Sequence, residues 1–497
     1  MTRDLRIRTG DGAPVTEISG TTETSGAAEI GGTRWGAVLA ASLAIVLAAL
    51  DLTIVAVALP LIGTDLRAPP ALTQWVLLAY FLPMAALGIP AGRWMDHAGL
   101  RPAFALAVGG FGVASMLVAL APTLALLLAG RVVQGAFGSL ISILGFPIVA
   151  AAVRPEHRGR AMGLITTLIP LSGLAGPSLG GLLAQTFGWR AVFAINIPVA
   201  LTALWLGLRT LPAARPRRPG LPLPDLGLLR EAALLGGAVT AVFLALGMLD
   251  GQRTRTGVAV PAGLFVAGAV AAVAWARLRE SRPVLTLTRN LAYGLPVFAL
   301  LLTMAGTGAT FFLVPYFCSD VLHTSPGVTG LVLLASAAGM ALLSPLAGLM
   351  ADRVGARPVA LTGGFVILAG TLALLTLGAG AHPADVAWRL ALLGIGNGLL
   401  SGPVHTLILE ATPPGMAATS GGVSALFRTL GLLIGPAAGA LSWSLAGGGV
   451  AGFRGGVAVI TATTAAGIAA LVALRFRAHQ QSGQLERPRA PDLEPAA

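Results

Sequence analysis

The sequence predicts an all-α integral membrane protein with fourteen transmembrane helices, and three observations lead to this fold class. The chain of 497 residues is 55% hydrophobic and only 10% charged, whereas soluble domains carry about 25% charged residues. Apolar stretches of membrane-spanning length recur along it, and its two halves share short motifs at a near-constant offset. The expected architecture is two six-helix bundles with a pseudo-two-fold relation, plus two inserted central helices.

Fourteen apolar stretches define the predicted helices, because about 20 apolar residues cross the hydrocarbon of a bilayer. They cover residues 36–62, 71–91, 103–121, 123–149, 161–187, 190–210, 231–250, 257–277, 293–317, 328–350, 359–379, 385–409, 419–446 and 455–475.

The arginines support this count of helices. The 32 basic residues are all arginine, and loops after even-numbered helices, such as those with Arg101, Arg158 and Arg357, hold more of them than the opposite loops. This bias predicts a multi-pass cell-membrane protein with both termini in the cytoplasm. Topology and anionic lipid therefore explain the net charge of +12 better than nucleic-acid binding does.

Two halves of the chain repeat each other. The stretch GRWMDHAGLRP begins at Gly92, and GLMADRVGARP begins at Gly348, 256 residues later. A Gly-Pro pair at Gly176 recurs 259 residues later, and Arg131 recurs as Arg389, 258 residues later. Such repeats predict homologous bundles with a substrate site between them, near the membrane midplane.

These patterns divide the chain into five predicted parts. The polar N-terminal tail lacks the apolar core of a signal peptide and is expected to be disordered. The parts are a cytoplasmic tail at 1–33, an N-terminal six-helix bundle at 34–211, cytoplasmic loops with two linker helices at 212–290, a C-terminal six-helix bundle at 291–476, and a second disordered tail at 477–497.

One carboxylate lies in the middle of the first predicted helix. Residues 46–60 read VLAALDLTIVAVALP, and Asp51 is the only charge between Gly36 and Ile62. A charged aspartate there costs about 2.5–3.5 kcal/mol on insertion scales, which marks a functional candidate. Burial disfavours its charged form, so it can bind and release a proton. The alternative is a packing aspartate that is hydrogen-bonded to a neighbouring helix.

Three further motifs carry candidate residues. The loop after helix 2 holds Gly92, Asp96, Gly99 and Arg101, and its glycines permit a tight turn while Asp96 can act as a breakable latch near helix ends. Helix 4 carries Arg131, Gln134 and Gly135, with the two polar residues one turn apart on one face. Helix 5 carries Gly176, Pro177, Gly180 and Gly181, which let helices approach closely.

At these residues the sequence resembles the major facilitator superfamily, and more narrowly its fourteen-helix branch of drug:proton antiporters. The family's loop motif GxxxDxxGxR is met from Gly92 to Arg101, with His97 in place of the usual basic residue. The RxxQG motif is met at Arg131. The helix 5 antiporter motif is met from Gly163 to Gly181, with Ser172 in place of one glycine.

Two further stretches match the same branch. The first-helix pattern LDxTIVxVALP runs from Leu50 to Pro60, and Trp189-Arg190 with Ile195-Asn196-Ile197-Pro198 match the start of helix 6. The resemblance covers roughly residues 35–475.

The resemblance implies alternating access driven by the proton gradient. The sequence has no GxxxxGK[ST] phosphate loop, no His/Cys cluster and no catalytic arrangement, so we expect no cofactor, no metal and no enzymatic reaction. Asp51 would be the proton-carrying carboxylate, and Arg131 would modulate its proton affinity or, alternatively, be a structural arginine. An ionised Asp51 would also attract a cationic drug, so that proton and drug compete for one site.

Aromatic and polar residues on several helices are candidates for the substrate cavity, since aromatic faces offer contact area and attract cations. The alternative for each is packing or contact with lipid. The candidates are Trp75, Tyr80, Phe311, Phe312, Asn397 and Arg428. His405 is expected to be a hydrogen-bonded helix-end histidine rather than a proton relay.

The predicted function is therefore a proton-coupled exporter of hydrophobic, often cationic, small molecules. The alternatives are a self-resistance exporter of one endogenous natural product, a proton-coupled importer, a membrane-embedded enzyme and a transporter-like sensor. The expected partners are a small-molecule substrate, protons and membrane lipids, with no nucleic acid. The sequence leaves the oligomeric state open, with a monomer as one option, and the single cysteine, Cys318, excludes an intrachain disulfide.

Overall fold

A computed structural model describes residues 32–68, 70–73, 75–212, 226–249, 255–324 and 326–485, and it has a helix at every predicted span. Most of the predicted N-terminal tail, the last twelve residues of the C-terminal tail, most of the first central loop and Asp250 lie outside the described residues. The last helix continues to Leu485, beyond its predicted end at residue 475.

The first six long helices form the N-terminal set. Two of them are interrupted by a single residue, α4 at Leu144 and α6 at Ile195. Their bounds are α1 Trp35–Asp65, α2 Trp75–His97, α3 Leu100–Ala119, α4 Leu124–Ile143 continued as Gly145–Ala152, α5 Arg158–Phe187, and α6 Trp189–Ala194 continued as Asn196–Thr210. A one-turn helix, Pro70–Thr73, precedes α2.

The inserted pair and the C-terminal set follow. The pair is α7 Leu226–Leu249 and α8 Arg255–Ala276, followed by the short helix Arg282–Arg289. The C-terminal set is α9 Leu291–Tyr316, extended by the π-turn Phe317–Val321, then α10 Pro326–Val354, α11 Ala356–Leu375, α12 Pro383–Glu410, α13 Ala417–Leu445 and α14 Gly449–Leu485.

Local chemistry sets where several helices begin. Gly188 and Gly355 have φ values of 79° and 91°, and each sits at the junction before the next helix, where a side chain would be strained. The side chain of Thr123 accepts a hydrogen bond from Leu126 N at the start of α4. At the start of α12, His382 and Asp385 form a reciprocal capping box.

Helix contacts in the two sets follow the same pattern. In the N-terminal set α1 packs on α5 and α6, α2 packs on α4, and α3 packs on α4 and α6. In the C-terminal set α9 packs on α13 and α14, α10 packs on α12, and α11 packs on α12 and α14. Each pair therefore recurs eight helices later, in agreement with the sequence repeat.

The two sets meet along two crossed pairs, α5 with α10 and α2 with α13. Glycines let the backbones come close there, since an added Cβ at Gly92 would lie against Ala418 and one at Gly348 against Gly159. These crossings place one end of each set firmly against the other.

A buried ion pair attaches the inserted helices to the N-terminal set. Arg93, at the end of α2, contacts the carboxylate of Glu231 on α7, whose side chain has no exposed surface. Trp275 of α8 donates a hydrogen bond of 3.2 Å to the same carboxylate. Because α7 begins at Leu226, before the predicted start at residue 231, Glu231 is a second buried acid within a helix.

Length and composition identify membrane-crossing helices. Within the described residues, ten helices are long and apolar enough to span a bilayer, and Trp35–Asp51 and Val260–Ala276 are shorter apolar helices. The protein is therefore an all-helical multi-pass membrane protein over the described ranges.

Close packing of α5 on α1 gives a test of this fold. A Cβ at Gly180 would lie 2.7 Å from Ile54 O and 3.0 Å from Ile54 Cα, both backbone atoms that cannot rotate away. Gly180→Ala should therefore lower the thermal unfolding temperature in detergent, since overpacking costs roughly 1–3 kcal/mol. Gly173→Ala, on the same helix, is the control, because its methyl group meets no described atom within 4 Å. Equal melting temperatures for both variants would contradict the close contact.

Candidate functional site

A buried ion pair lies at the centre of the N-terminal set. Asp51 of α1 and Arg131 of α4 are 1% and 0% exposed, and Arg131 Nη1 lies 2.5 Å from Asp51 Oδ2. Removing two charges from water is costly, and only close contact with further hydrogen bonds offsets that cost. The pair is therefore stable only while both partners stay together.

Three polar residues complete the surroundings of the carboxylate. Gln134 Nε2 and Asn196 Nδ2 donate to Asp51 Oδ1 at 3.1 and 2.9 Å, and both also donate to Ser115 Oγ. Gln134 Oε1 in turn accepts from Arg131 Nη1 at 2.7 Å. Both oxygens of Asp51 are thus satisfied by residues from α4 and α6, while α3 supplies Ser115 behind them.

Arg131 is held on all sides. Its Nε donates to Val76 O at 2.9 Å, and its guanidinium lies 4.4 Å from the ring centroid of Tyr80 and 5.6 Å from that of Phe193. Nη2 has no hydrogen-bond partner among the described residues. The two N–H groups of this nitrogen are therefore without an acceptor among the described residues, whereas Nε and Nη1 both donate.

Glycines on the surrounding helices make this site compact. A Cβ at Gly135 would lie 2.3 Å from Tyr80 O, so α4 sits directly on the backbone of α2. Gly180 brings α5 equally close to α1 one turn beyond Asp51. Gly176 is buried on α5, Gly181 is half-buried, and Pro177 lies between them in the same helix.

A second carboxylate links the two helix sets. Asp96, at the end of α2, accepts hydrogen bonds from Ala418 N at 2.7 Å and Thr419 N at 2.8 Å, the free amides in the first turn of α13. A negative charge at a helix N-terminus is favourable. Asp96 therefore connects the two helix sets through backbone amides, and its role as a breakable latch stays a prediction.

The second copy of the loop motif makes a matching carboxylate contact. Asp352, at the end of α10, accepts from Arg160 N at 3.2 and 3.3 Å in the first turn of α5. Asp352 occupies the position of Asp96 in the second copy of the loop motif, so the sequence signal for it was the repeat itself. Gly99 precedes α3, and Arg101 lies half-buried in its first turn.

A cavity of about 200 Å³ lies between the two sets, with walls from α1, α4 and α5 on one side and from α9, α10, α12 and α13 on the other. Three of the predicted cavity residues line it, namely Phe311, Asn397 and Arg428. His405 also lines it, and its Nδ1 lies 2.7 Å from Ser401 O. His405 is thus hydrogen-bonded as expected, but it faces this cavity rather than lying at a helix end.

The other predicted cavity residues lie elsewhere. Tyr80 is fully buried beneath Arg131, and Trp75 lines a separate groove between α2, α4 and α7. Phe312 is half-buried, packs against the core of the C-terminal set, and contacts the tilted ring of Tyr316 at 4.6 Å between ring centroids. Their helices carry apolar residues on nearly every face, so spacing alone could not indicate which face meets the cavity.

The buried Asp51–Arg131 pair and the cavity are separate. Asp51 is not among the cavity-lining residues, so the expectation that proton and substrate share one site does not hold in this conformation. Arg389, the repeat counterpart of Arg131, makes different contacts. It donates hydrogen bonds to the carbonyls of Ala373 and Asp385 near a helix end. The buried network is thus specific to the N-terminal set.

The sequence is similar to a known family and to named relatives. The sequence pattern described as the Major Facilitator Superfamily matches residues 41–436 and, in a second match, 296–494. The tetracenomycin C resistance and export protein of Streptomyces glaucescens is 32% identical over 427 residues, covering 85% of this chain and 78% of that protein. The multidrug resistance protein B homolog of Mycobacterium tuberculosis is 31% identical over 403 residues, covering 80% and 73%.

Solved structures have the same fold. The human organic anion transporter MFSD10 superposes with a TM-score of 0.63 at 18% identity, covering 88% of this chain and 99% of that one. A bacterial homologue of the iron transporter ferroportin, in an outward-facing state, gives 0.62 at 13% identity, covering 88% and 98%.

The buried pair predicts a specific pattern of stabilities. Arg131→Met leaves the Asp51 carboxylate buried without its partner, which should cost roughly 3–5 kcal/mol of unfolding free energy. The double variant Asp51→Leu with Arg131→Met should recover much of that loss, because neither charge remains. Thermal unfolding in detergent at fixed pH measures both. A double variant as unstable as the sum of the single variants would contradict the pairing.

The two latches predict a change in accessibility. Asp96→Asn with Asp352→Asn removes both charges from the helix N-termini, each worth about 0.3–1 kcal/mol, and should open the latch end. Met162 is buried and lines the cavity. In a Cys318→Ser background, the Met162→Cys variant should then react faster with an impermeant maleimide added on the side of Asp96 and Asp352. Asp320→Asn, at the exposed end of α9, is the control. Unchanged labelling of the double variant would contradict the latch role.

Proposed function

The chain belongs to the Major Facilitator Superfamily, and from this premise we propose that it is a proton-coupled exporter of hydrophobic small molecules that works by alternating access. Members of this family are transporters rather than enzymes. The observation that carries the coupling part of the proposal is the buried Asp51–Arg131 pair with its satisfied hydrogen-bond network.

The pair offers a direct way to couple a proton to movement. In the present conformation the carboxylate of Asp51 lies against the guanidinium of Arg131, which can balance its charge. A shift of α1 against α4 would leave the carboxylate without its partner in an apolar interior, where a lone charge is very costly and binding a proton removes it. Separating the pair therefore requires proton uptake, and re-forming it releases the proton.

Substrate binding is proposed for the cavity between the helix sets. Because Asp51 lies outside this cavity, proton and substrate would compete through the conformations they favour rather than through direct contact. The proton gradient is then the energy source, and no cofactor is required.

The proposed topology has fourteen membrane-spanning helices, with two six-helix bundles and α7–α8 between them. Both termini and the two latches then lie in the cytoplasm, and closed latches correspond to a state open to the outside. The paired contacts that recur eight helices later support this arrangement. The proposal includes a location in the plasma membrane and membership of the fourteen-helix drug:proton antiporter branch, and a single chain contains both bundles.

A second candidate is export of one natural product for self-resistance. Its support is the 32% identity with a protein named for resistance to and export of tetracenomycin C. A substrate panel separates the two, because a dedicated exporter responds to one chemical scaffold and a multidrug exporter to several.

Proton coupling through Asp51 can be tested in inside-out vesicles. Addition of a transported drug to the wild type should dissipate an imposed pH gradient, and Asp51→Asn should abolish this response, since the amide cannot exchange a proton. Asp65→Asn is the matched control, because Asp65 lies on the same helix in an exposed ion pair with Arg190. Full exchange by Asp51→Asn would show that Asp51 is a packing residue.

A further inference from the structure

We infer that the central cavity selects amphipathic organic anions, namely carboxylates or phenolates on a flat apolar skeleton, with Arg428 as their counter-ion. This inference rests on the proposed function, since it names the substrate class of the same cavity. The sequence-based expectation of cationic substrates assumed that Asp51 faces the substrate, and the structure places Asp51 elsewhere.

The charge of the cavity wall has one sign. Arg428 of α13 is its permanent charge, and no aspartate or glutamate is among the described residues that line it. A cationic substrate would therefore meet repulsion and no counter-ion. An anion would meet an oppositely charged group in an apolar enclosure, where electrostatic interactions are strong.

Arg428 has no ion pair and no hydrogen bond with any described residue. By contrast, Arg131 pairs with Asp51, and Arg357 and Arg454 donate to backbone carbonyls. Arginines within membrane helices normally pair with an acid or with backbone carbonyls. A planar guanidinium also suits carboxylate, which it can bind through two parallel hydrogen bonds. A free arginine in this setting indicates that its partner is the substrate.

Two nearby groups define the rest of the ligand. His405 Nδ1 must carry its proton to bond Ser401 O, which leaves Nε2 of the neutral ring as an acceptor. Asn397 donates from Nδ2 to Leu393 O, while its buried Oδ1 has no partner among the described residues. These acceptors suit hydroxyl groups. Phe146 and Phe311 supply aromatic walls, so the fitting ligand is a flat, hydroxylated weak acid.

The test uses three fluorescent anthracenes that share one skeleton and differ in charge. They are 9-anthracenecarboxylate, 9-anthracenemethanol and 9-anthracenemethylammonium, and their binding to the purified full-length protein is followed by fluorescence titration. The wild type should bind the carboxylate most tightly. Arg428→Gln should weaken carboxylate binding by about tenfold to a hundredfold, the usual effect of losing a charge-assisted hydrogen bond.

Controls separate charge from damage to the fold. In Arg428→Gln the affinity for the neutral alcohol should not change, and Arg428→Lys should keep much of the preference for the anion. Arg67→Gln removes the same charge from an exposed loop and should bind all three compounds as the wild type does. Equal or tighter binding of the ammonium compound by the wild type, binding of none of the three, or unchanged carboxylate binding in Arg428→Gln would each overturn the inference.

Transport of the same compounds tests the proposed function independently. Export of the ammonium compound with proton exchange, and not of the carboxylate, would uphold the exporter and overturn the anion inference. Selective binding of the carboxylate without any proton-driven export would uphold the anion site and contradict the proposed function.

Discussion

An uncompensated charge is very costly in the interior of a membrane protein, and the arrangement of this molecule depends on that constraint. Asp51 and Arg131 are tolerated because they neutralise each other and because Gln134 and Asn196 satisfy the remaining carboxylate oxygen. In the proposed mechanism, a movement that separates the pair exposes a bare carboxylate, which a proton neutralises, while Arg131 keeps its contacts with Val76 O, Gln134 Oε1 and the Tyr80 ring. The same constraint underlies the inference about Arg428, because this arginine lines the cavity and no acid is among the described residues that line it with Arg428.

The scaffold is repeated, whereas the chemistry is divided between its halves. Helix contacts and carboxylate contacts recur in both sets, with Asp96 at the first turn of α13 and Asp352 at the first turn of α5. The buried acid belongs to the N-terminal set, and the cavity arginine belongs to the C-terminal set. Proton and substrate can then be handled on opposite sides of one moving interface, with no direct contact between them.

Much of this was predictable from sequence because apolar length, loop charge and repeated motifs are one-dimensional signals. The helices belong to that class, whereas the resemblance related Arg131 to Asp51 without indicating their direct contact. Asn196 was visible only as part of a helix 6 match, and Ser115 had no signal, because an isolated serine in an apolar helix is common. Glu231 was missed because its helix begins a turn earlier than its apolar run does.

The predicted cavity residues show where such reasoning stops. Phe311 lines the cavity, whereas its neighbour Phe312 packs against the core of the C-terminal set, yet both lie in a helix that is apolar all round. Rotation of a helix about its axis is set by packing between helices, so sequence periodicity cannot supply it in this setting.

Infrared difference spectroscopy of the protonated carboxyl C=O stretch tests the central claim most directly, because it reports the proton on Asp51 itself. The account predicts that wild-type protein in lipid gains this band at low pH, loses it when a transported substrate restores the paired state, and shows no such band in Asp51→Asn. A band that persists unchanged in Asp51→Asn, or a wild type that never gains one across the pH range of transport, would contradict proton exchange at Asp51.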